Sequence, residues 1–255
     1  MTTVQRDFGL QIIQLAGLYS SAVIIGDRTE PRSLRTASGF LLGFDERVFL
    51  VTNAHVMQGY REVKDRWPNA RFQFFDTILE PNVVDEDSAE RVDIAVLDVT
   101  GIDFESKTDS YWKSSASALE VLRPHTWPSA PPKAGESTIS VGWPAKMRSA
   151  NDGAIEMAAF PLLGQFVGDL QQTSFTISFD REEWIGTDYS LNNPVLQETE
   201  LGGISGAPVF ALHRGGLFPL QLIGVVKEYG SLSDTLFCAR ADLITRDGTI
   251  ETERF

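Results

Sequence analysis

Cysteine is almost absent from this chain of 255 residues, where Cys238 is the only one. A lone thiol excludes an intramolecular disulfide framework and any thiolate metal cluster, so nothing in the chain requires an oxidising compartment. Basic residues are also scarce: 22 Lys and Arg stand against 35 Asp and Glu, a formal net charge of -13. A chain without a basic face is poorly suited to a phosphate backbone, and nucleic acid is not an expected partner. Long apolar runs are missing as well, since no stretch approaches the roughly 18 uninterrupted apolar residues of a membrane span. The N-terminal MTTVQRDFGLQIIQLAGLYSSAVIIG is broken by Asp7, Gln11 and Gln14 and lacks a basic start, which is not the pattern of a leader. No membrane association and a cytoplasmic location are the expectation. There is no P-loop, dinucleotide fingerprint or HExxH, so nucleotide and zinc chemistry have no support.

What the chain does contain is enough apolar residue, 42%, to bury a sizeable core in one large domain or in two of about 100 to 150 residues. The spacing of Phe8, Ile12, Leu15 and Leu18 suits a short helix. Beyond it, SGFLLGF, RVFLVTN, FQFF, DIAVLDV, STISVGW, TSFTISF, APVFAL, LQLIGVV and TLFCARA are short, many of them β-branched or aromatic, and separated by Gly, Pro, Asp or Asn. They read as strands of a sandwich or of barrels. GFDERVF, 43 to 49, reads as a hairpin turn. RPHTWPSAPPKAGE holds four prolines in 14 residues, which stiffen extended backbone and donate nothing to a ladder. The organisation expected is therefore 1–122 as a first unit, 123–136 as connector and 137–255 as a second unit.

The chemistry starts from GGISGAP, 202 to 208, where glycines around Ser205 allow a sharp turn with exposed N–H groups. A serine hydroxyl becomes a nucleophile only beside a base, and the base needs a third group to fix its tautomer. Of three histidines, His55 ends an apolar strand in FLVTNAHVM, His125 lies in the connector, and His213 follows Ser205 by eight residues. The next well-patterned acid after His55 is Asp93, at the start of the apolar segment DIAVLDV; Asp98, of opposite parity, faces outward. The rival for a glycine-flanked serine is the nucleophile elbow of α/β-hydrolases. Against it, Ala207 stands where that motif has its last glycine, His213 is too close to be a partner on a late loop, and intervening helices are lacking.

The order His, Asp, Ser within TNAHV, VDIAVL and GISGAPV resembles the chymotrypsin/trypsin-like serine proteases, echoed by SGFLL, AGESTISVGWP and LIGVV over roughly residues 20 to 245. The resemblance implies an all-β fold of two antiparallel six-stranded barrels packed side by side, the first carrying His55 and Asp93 and the second Ser205. It implies a serine endopeptidase that hydrolyses peptide bonds through an acyl-enzyme and needs no cofactor or metal. Ser205 would be nucleophile, His55 base, and Asp93 the group that orients it, with the amides of Gly203 and Ser205 as oxyanion hole. It places Lys227, Glu228 and Tyr229 along the substrate backbone and Thr199 at the floor of the specificity pocket. Glu198 and Glu200 beside it either favour Lys or Arg in the substrate or are solvated loop charges.

One departure matters: secreted digestive-type members carry an acid just before the serine that pairs with a freshly cut N-terminus, and here the residue is Ile204. That switch is absent, which together with the missing disulfides points to the intracellular, bacterial or viral branch. Restraint would then come from an unidentified regulatory partner protein, a loop rearrangement or narrow specificity. A non-catalytic or latched peptide-binding module on the same fold, and an esterase, are the alternatives. Cys238 reads as a buried strand residue, and DEDSAE, 85 to 90, as a solvated loop that would be the natural calcium candidate. FDREEW, 179 to 184, reads as a surface loop or an insertion near the cleft.

Overall fold

The computed structural model describes residues 3–88, 91–104, 112–114, 118–151, 154–178, 201–213, 219–231 and 233–253. The first half is built from α1 (Thr3–Gly17), β1 (Ser21–Asp27), β2 (Glu30–Phe44), β3 (Arg47–Thr52), α2 (Ala54–Arg66), β4 (Arg71–Phe74), β5 (Thr77–Leu79), β6 (Val83–Asp87), β7 (Ile94–Asp98), β8 (Trp112–Ser114) and β9 (Val121–Leu122). The second half holds β10 (Ser137–Gly142), β11 (Arg148–Asn151), β12 (Ala154–Met157), β13 (Phe160–Leu170), β14 (Ser174–Ser178), β15 (Pro208–Leu212), β16 (Leu220–Gly230) and β17 (Thr235–Arg240). Residues 123–136 between β9 and β10 contain no helix or strand.

In the second half six strands close on themselves in the order β10-β13-β14-β17-β16-β15. Their alternation sorts the side chains. Val209, Ala211, Ile223, Leu236 and Cys238 fill a core with Phe175 and Ile177, while the intervening Phe210, Leu222, Val225 and Ala239 turn to the first half. There they meet Phe40, Leu42, Phe49, Val51, Ile94 and Val96 in one buried cluster. The interface between the halves is thus a hydrophobic core in its own right, and α1 joins it through Ile12 and Ala16, one turn apart.

The first half departs from the expected second barrel. Its eight strands run β5-β4-β1-β2-β3-β7-β6, with β9 added alongside β2, and the path stays open. Closure would require the consecutive strands β5 and β6 to pair. The physical obstacle is plain: β5 has three residues and is followed two residues later by Pro81, which has no N–H to give a ladder. The fold is also mostly β rather than all-β and antiparallel, because α1 and α2 span 15 and 13 residues and the pairs β2/β9 and β8/β12 run parallel.

All nine expected strand segments are strands, and the 43–49 segment is a hairpin with Phe44 opposite Arg47. The acids Asp85 to Asp87, expected in a loop, lie instead in the half-buried β6. Each is engaged there: Asp85 accepts the Ile250 N–H at 2.7 Å, Glu86 pairs with Arg61, and Asp87 stands 3.9 Å from Arg91.

Strand β2 is the hinge of the sheet. Its residues Arg35 to Gly39 pair with β1, and Phe40 to Phe44 pair with β3, so the ladder to β3 starts only beyond Gly39. The backbone groups of Ser38 on that side therefore have no ladder partner in β3 and must be satisfied in another way.

If the interface cluster holds the halves together, Phe210→Ala, which empties a fully buried position, will destabilise the protein by about 3–5 kcal/mol in urea unfolding. A change under about 1 kcal/mol would mean that Phe210 is not part of a packed interface.

Candidate active site

His55 is the second residue of α2, and this position explains its pairing. The first N–H groups of a helix have no partner within it. Asp93 supplies one: its Oδ1 accepts the His55 backbone N–H at 3.0 Å, while Oδ2 lies 2.8 Å from His55 Nδ1. A carboxylate only accepts, so Nδ1 bears a proton, and in the neutral ring the lone pair then lies on Nε2. Asp93 is nearly buried, its side chain 5% exposed, whereas the imidazole is 42% exposed. The pair thus combines a fixed, water-shielded end with an accessible basic one.

The backbone of Asp93 takes a left-handed φ of 60°, an unfavourable choice for a side chain with Cβ. Two hydrogen bonds impose it. Asn53 Nδ2 donates to the Asp93 carbonyl at 2.6 Å, and the Asp93 N–H donates to Ser88 O at 3.1 Å. Asn53 is the residue before α2, and its amide grips the acid instead of capping the helix.

Ser205 lies half-buried in the turn that leads into β15. Within this turn the peptide groups alternate. Ile204 N–H bonds Leu201 O at 3.2 Å, Gly206 N–H bonds Val226 O at 2.8 Å, and Ala207 N–H bonds Ile204 O at 2.9 Å. Among the described residues, the N–H groups of Gly203 and Ser205 donate to nothing. Both are nonetheless fixed through the carbonyls of their own peptides, because Gly202 O accepts from Ala145 N–H at 2.8 Å and Ile204 O accepts from Ala207. Two held donors, one on Ser205 itself and one two residues before it, are an arrangement that can receive developing negative charge.

The turn is seated on the first half. Ser38 N–H donates to Ser205 O at 2.7 Å, and Gly206 is pressed so tightly that a Cβ there would stand 2.0 Å from Ser38 O and 2.7 Å from Thr52 Oγ1. Thr52 ends the strand that runs on to His55. The structure therefore joins His55 to Asp93 directly and lays the Ser205 turn against the end of β3, three residues before His55. The Ser205 hydroxyl makes no hydrogen bond among the described residues.

The other sequence candidates divide clearly. Lys227, Glu228 and Tyr229 follow Val226, whose N–H and C=O are both bonded to the Ser205 turn; pairing of β16 to β15 stops at Val225, so one edge of 227–229 carries no strand among the described residues. Lys227 Nζ donates to Arg91 O at 3.0 Å, and the Tyr229 hydroxyl donates to Asp234. Thr199, with Glu198, Glu200 and the 179–184 segment, lies outside the described residues. His125 and His213 are exposed, His213 bonding Gln221 at 2.6 Å. Burial pushes the Cys238 thiol far up, which leaves it protonated and unreactive. Ile204 is 1% exposed and belongs to the barrel core, so an acid could not occupy that position without being buried. Asp98 pairs with Arg47 at 3.2 Å, away from His55.

Sequence reasoning missed Asn53, Ser38 and α2. The helix had a signal, since Val56, Met57, Tyr60 and Val63 recur at helical spacing; Ser38 had none, because its partners lie far along the chain. A cavity of about 620 Å³ lined by Arg91, Gln171, Gln172, Lys227 and Glu253, among others, opens beside this region, but His55, Asp93 and Ser205 do not line it.

No family model matches this sequence, and no curated protein matches it. Among solved structures the chain is similar to the Rv3671c protease from M. tuberculosis in its active form, at 19% identity over 90% of this chain and 79% of that one, with a TM-score of 0.48. It is also similar to the thermostable serine protease AL20 from an extremophilic microorganism, at 12% identity over 88% of this chain and 91% of that one, with a TM-score of 0.46.

The seat of the turn can be tested by size alone. Gly206→Ala, with φ of 89° and no room for a methyl, will cost about 2 kcal/mol or more in chemical denaturation. Gly202→Ala, where a Cβ meets open space, will stay within about 0.5 kcal/mol of the parent or gain slightly. Equal effects at the two positions would show that the turn is not docked as described.

Proposed function

We propose that this chain is a serine endopeptidase that cleaves peptide bonds of protein substrates through an acyl-enzyme, with Ser205, His55 and Asp93 as its triad. The observation that carries the reading is the pair of unused amides at Gly203 and Ser205, held by their own carbonyls beside a serine. An acyl-transfer site requires two such donors beside its nucleophile. The pairing of His55 Nδ1 with a buried carboxylate adds support, because it fixes one ring nitrogen while the side chain stays 42% exposed.

In this mechanism the His55 imidazole takes the Ser205 proton as the hydroxyl attacks the scissile carbonyl. The carbonyl oxygen becomes an oxyanion received by the amides of Gly203 and Ser205. Asp93 holds the imidazole and stabilises its cation, and His55 returns the proton to the leaving amine. Water then repeats the sequence on the acyl-serine, with His55 again as base. The free edge of β16 at Lys227, Glu228 and Tyr229 pairs with the substrate backbone as an added strand, which gives affinity without demanding one sequence.

A fluorophosphonate probe will label the wild-type protein on Ser205, and Ser205→Ala and His55→Ala will abolish labelling without changing the circular dichroism spectrum. Cleavage of esters without peptides would make the chain an esterase. Peptide binding without Ser205-dependent labelling would move the reading to a non-catalytic binding module.

A further inference from the structure

Ser38 is fully buried and spends every polar atom it has on other segments. Its N–H donates to Ser205 O at 2.7 Å. Its hydroxyl donates to Gly203 O at 2.9 Å and accepts the Trp143 N–H at 3.0 Å. Its carbonyl accepts from Thr52 Oγ1 at 2.8 Å. Four bonds from one residue of β2 thus reach the nucleophile turn twice, the strand leading to His55, and the segment after β10.

The sites of attachment give these bonds their meaning. The amide of Ser205 belongs to the peptide between residues 204 and 205. Ser38 holds the carbonyl of the peptide before it, at Gly203, and the carbonyl of the peptide after it, at Ser205. A peptide plane can rotate only if its neighbours yield, so the plane bearing one proposed oxyanion donor is bracketed from both sides by a single residue. Gly203 needs this restraint, because at a φ of 103° and without Cβ its own steric preferences fix little.

We propose that the Ser38 hydroxyl is a positioning residue for the oxyanion pocket, setting the orientation of the Gly203 and Ser205 amides and the placement of the nucleophile. This deepens the hydrolase reading above and rests on it. Ser38 touches no substrate; its effect is transmitted through the turn. Because a misaligned donor acts in the transition state more than in binding, the loss falls on kcat rather than on KM.

The control is Ser140, a second buried serine whose hydroxyl has no partner and whose cross-strand neighbours Leu162 and Val209 lie in the barrel core. In the full chain, Ser38→Ala will lower kcat on a peptide substrate about tenfold or more, with KM within about threefold, while Ser140→Ala leaves both unchanged. In amide NMR spectra, the Gly203 and Ser205 signals will shift or broaden in Ser38→Ala and not in Ser140→Ala. Ser38→Cys, close in size and still a weak donor, will fall between, and it takes the place of the alanine variant if that one fails to fold. Wild-type kcat in Ser38→Ala, or equal losses in the two alanine variants, would overturn the proposal. If the wild-type protein shows no Ser205-dependent turnover, the hydrolase reading fails, and undisturbed Gly203 and Ser205 amides in the Ser38 variant would overturn the positioning role separately.

Discussion

The turn at 201–207 belongs to the barrel by sequence and to both halves by hydrogen bonding. Ile204, Gly206 and Ala207 tie their N–H groups into the second half, while the carbonyls of Gly203 and Ser205 are taken by Ser38 of the first. Among the described residues the amides of Gly203 and Ser205 donate to nothing, as does that of the exposed Gly202. The first two are kept in place because the carbonyls of their own peptides and of the adjacent ones are already committed. The candidate chemistry therefore depends on a seam rather than on either half. Should the two halves separate, Ser205 would keep its strand and lose its orientation.

The open sheet of the first half fits that requirement. A closed barrel satisfies most of its own backbone within its ladders. Strand β2 instead changes partners at Gly39 and Phe40 and leaves the Ser38 N–H directed at the second half. The apolar side of the same seam is the cluster in which Phe40, Val51 and Ile94 meet Phe210, Leu222 and Val225. Burial brings the halves together without direction; the bonds of Ser38 then fix the register of the turn to within the reach of a hydrogen bond.

Much of this was legible in the sequence, for reasons of range. Period-two patterning is local, and nine short apolar segments between turn residues gave nine strands. The order of TNAHV, VDIAVL and GISGAPV marked His55, Asp93 and Ser205, and the first two are in contact. What escaped depends on partners distant in the chain. Nothing near Ser38 announces that it meets residues 143, 203 and 205, and nothing near Asn53 announces that its amide serves residue 93. The failure of the first sheet to close turns on a three-residue strand and one proline, features too small to weigh against a barrel-like pattern of strands. Helix α2 begins where the apolar run of β3 ends, so the strand pattern masks its start, although the apolar spacing that follows His55 is helical.

The environment of Asp93 is best understood beside the other buried acid, Asp242. That carboxylate is neutralised at once by Arg240, with Nε 3.0 Å from one oxygen and Nη2 2.5 Å from the other, and such a pair stays charge-balanced whatever else happens. Asp93 is equally buried, yet among the described residues its only ion-pair partner is an imidazole. With that imidazole neutral, the carboxylate is held by the N–H of His55 at the positive end of α2 and by Nδ1–H, interactions that solvate the charge without cancelling it. A buried negative charge left in this condition becomes more favourable when a positive one forms beside it. In the mechanism proposed above, imidazolium is created when the Ser205 proton is transferred, so the electrostatic gain would arrive during the reaction and not before it. An arginine in place of His55 would make a more stable pair and a site with nothing left to do.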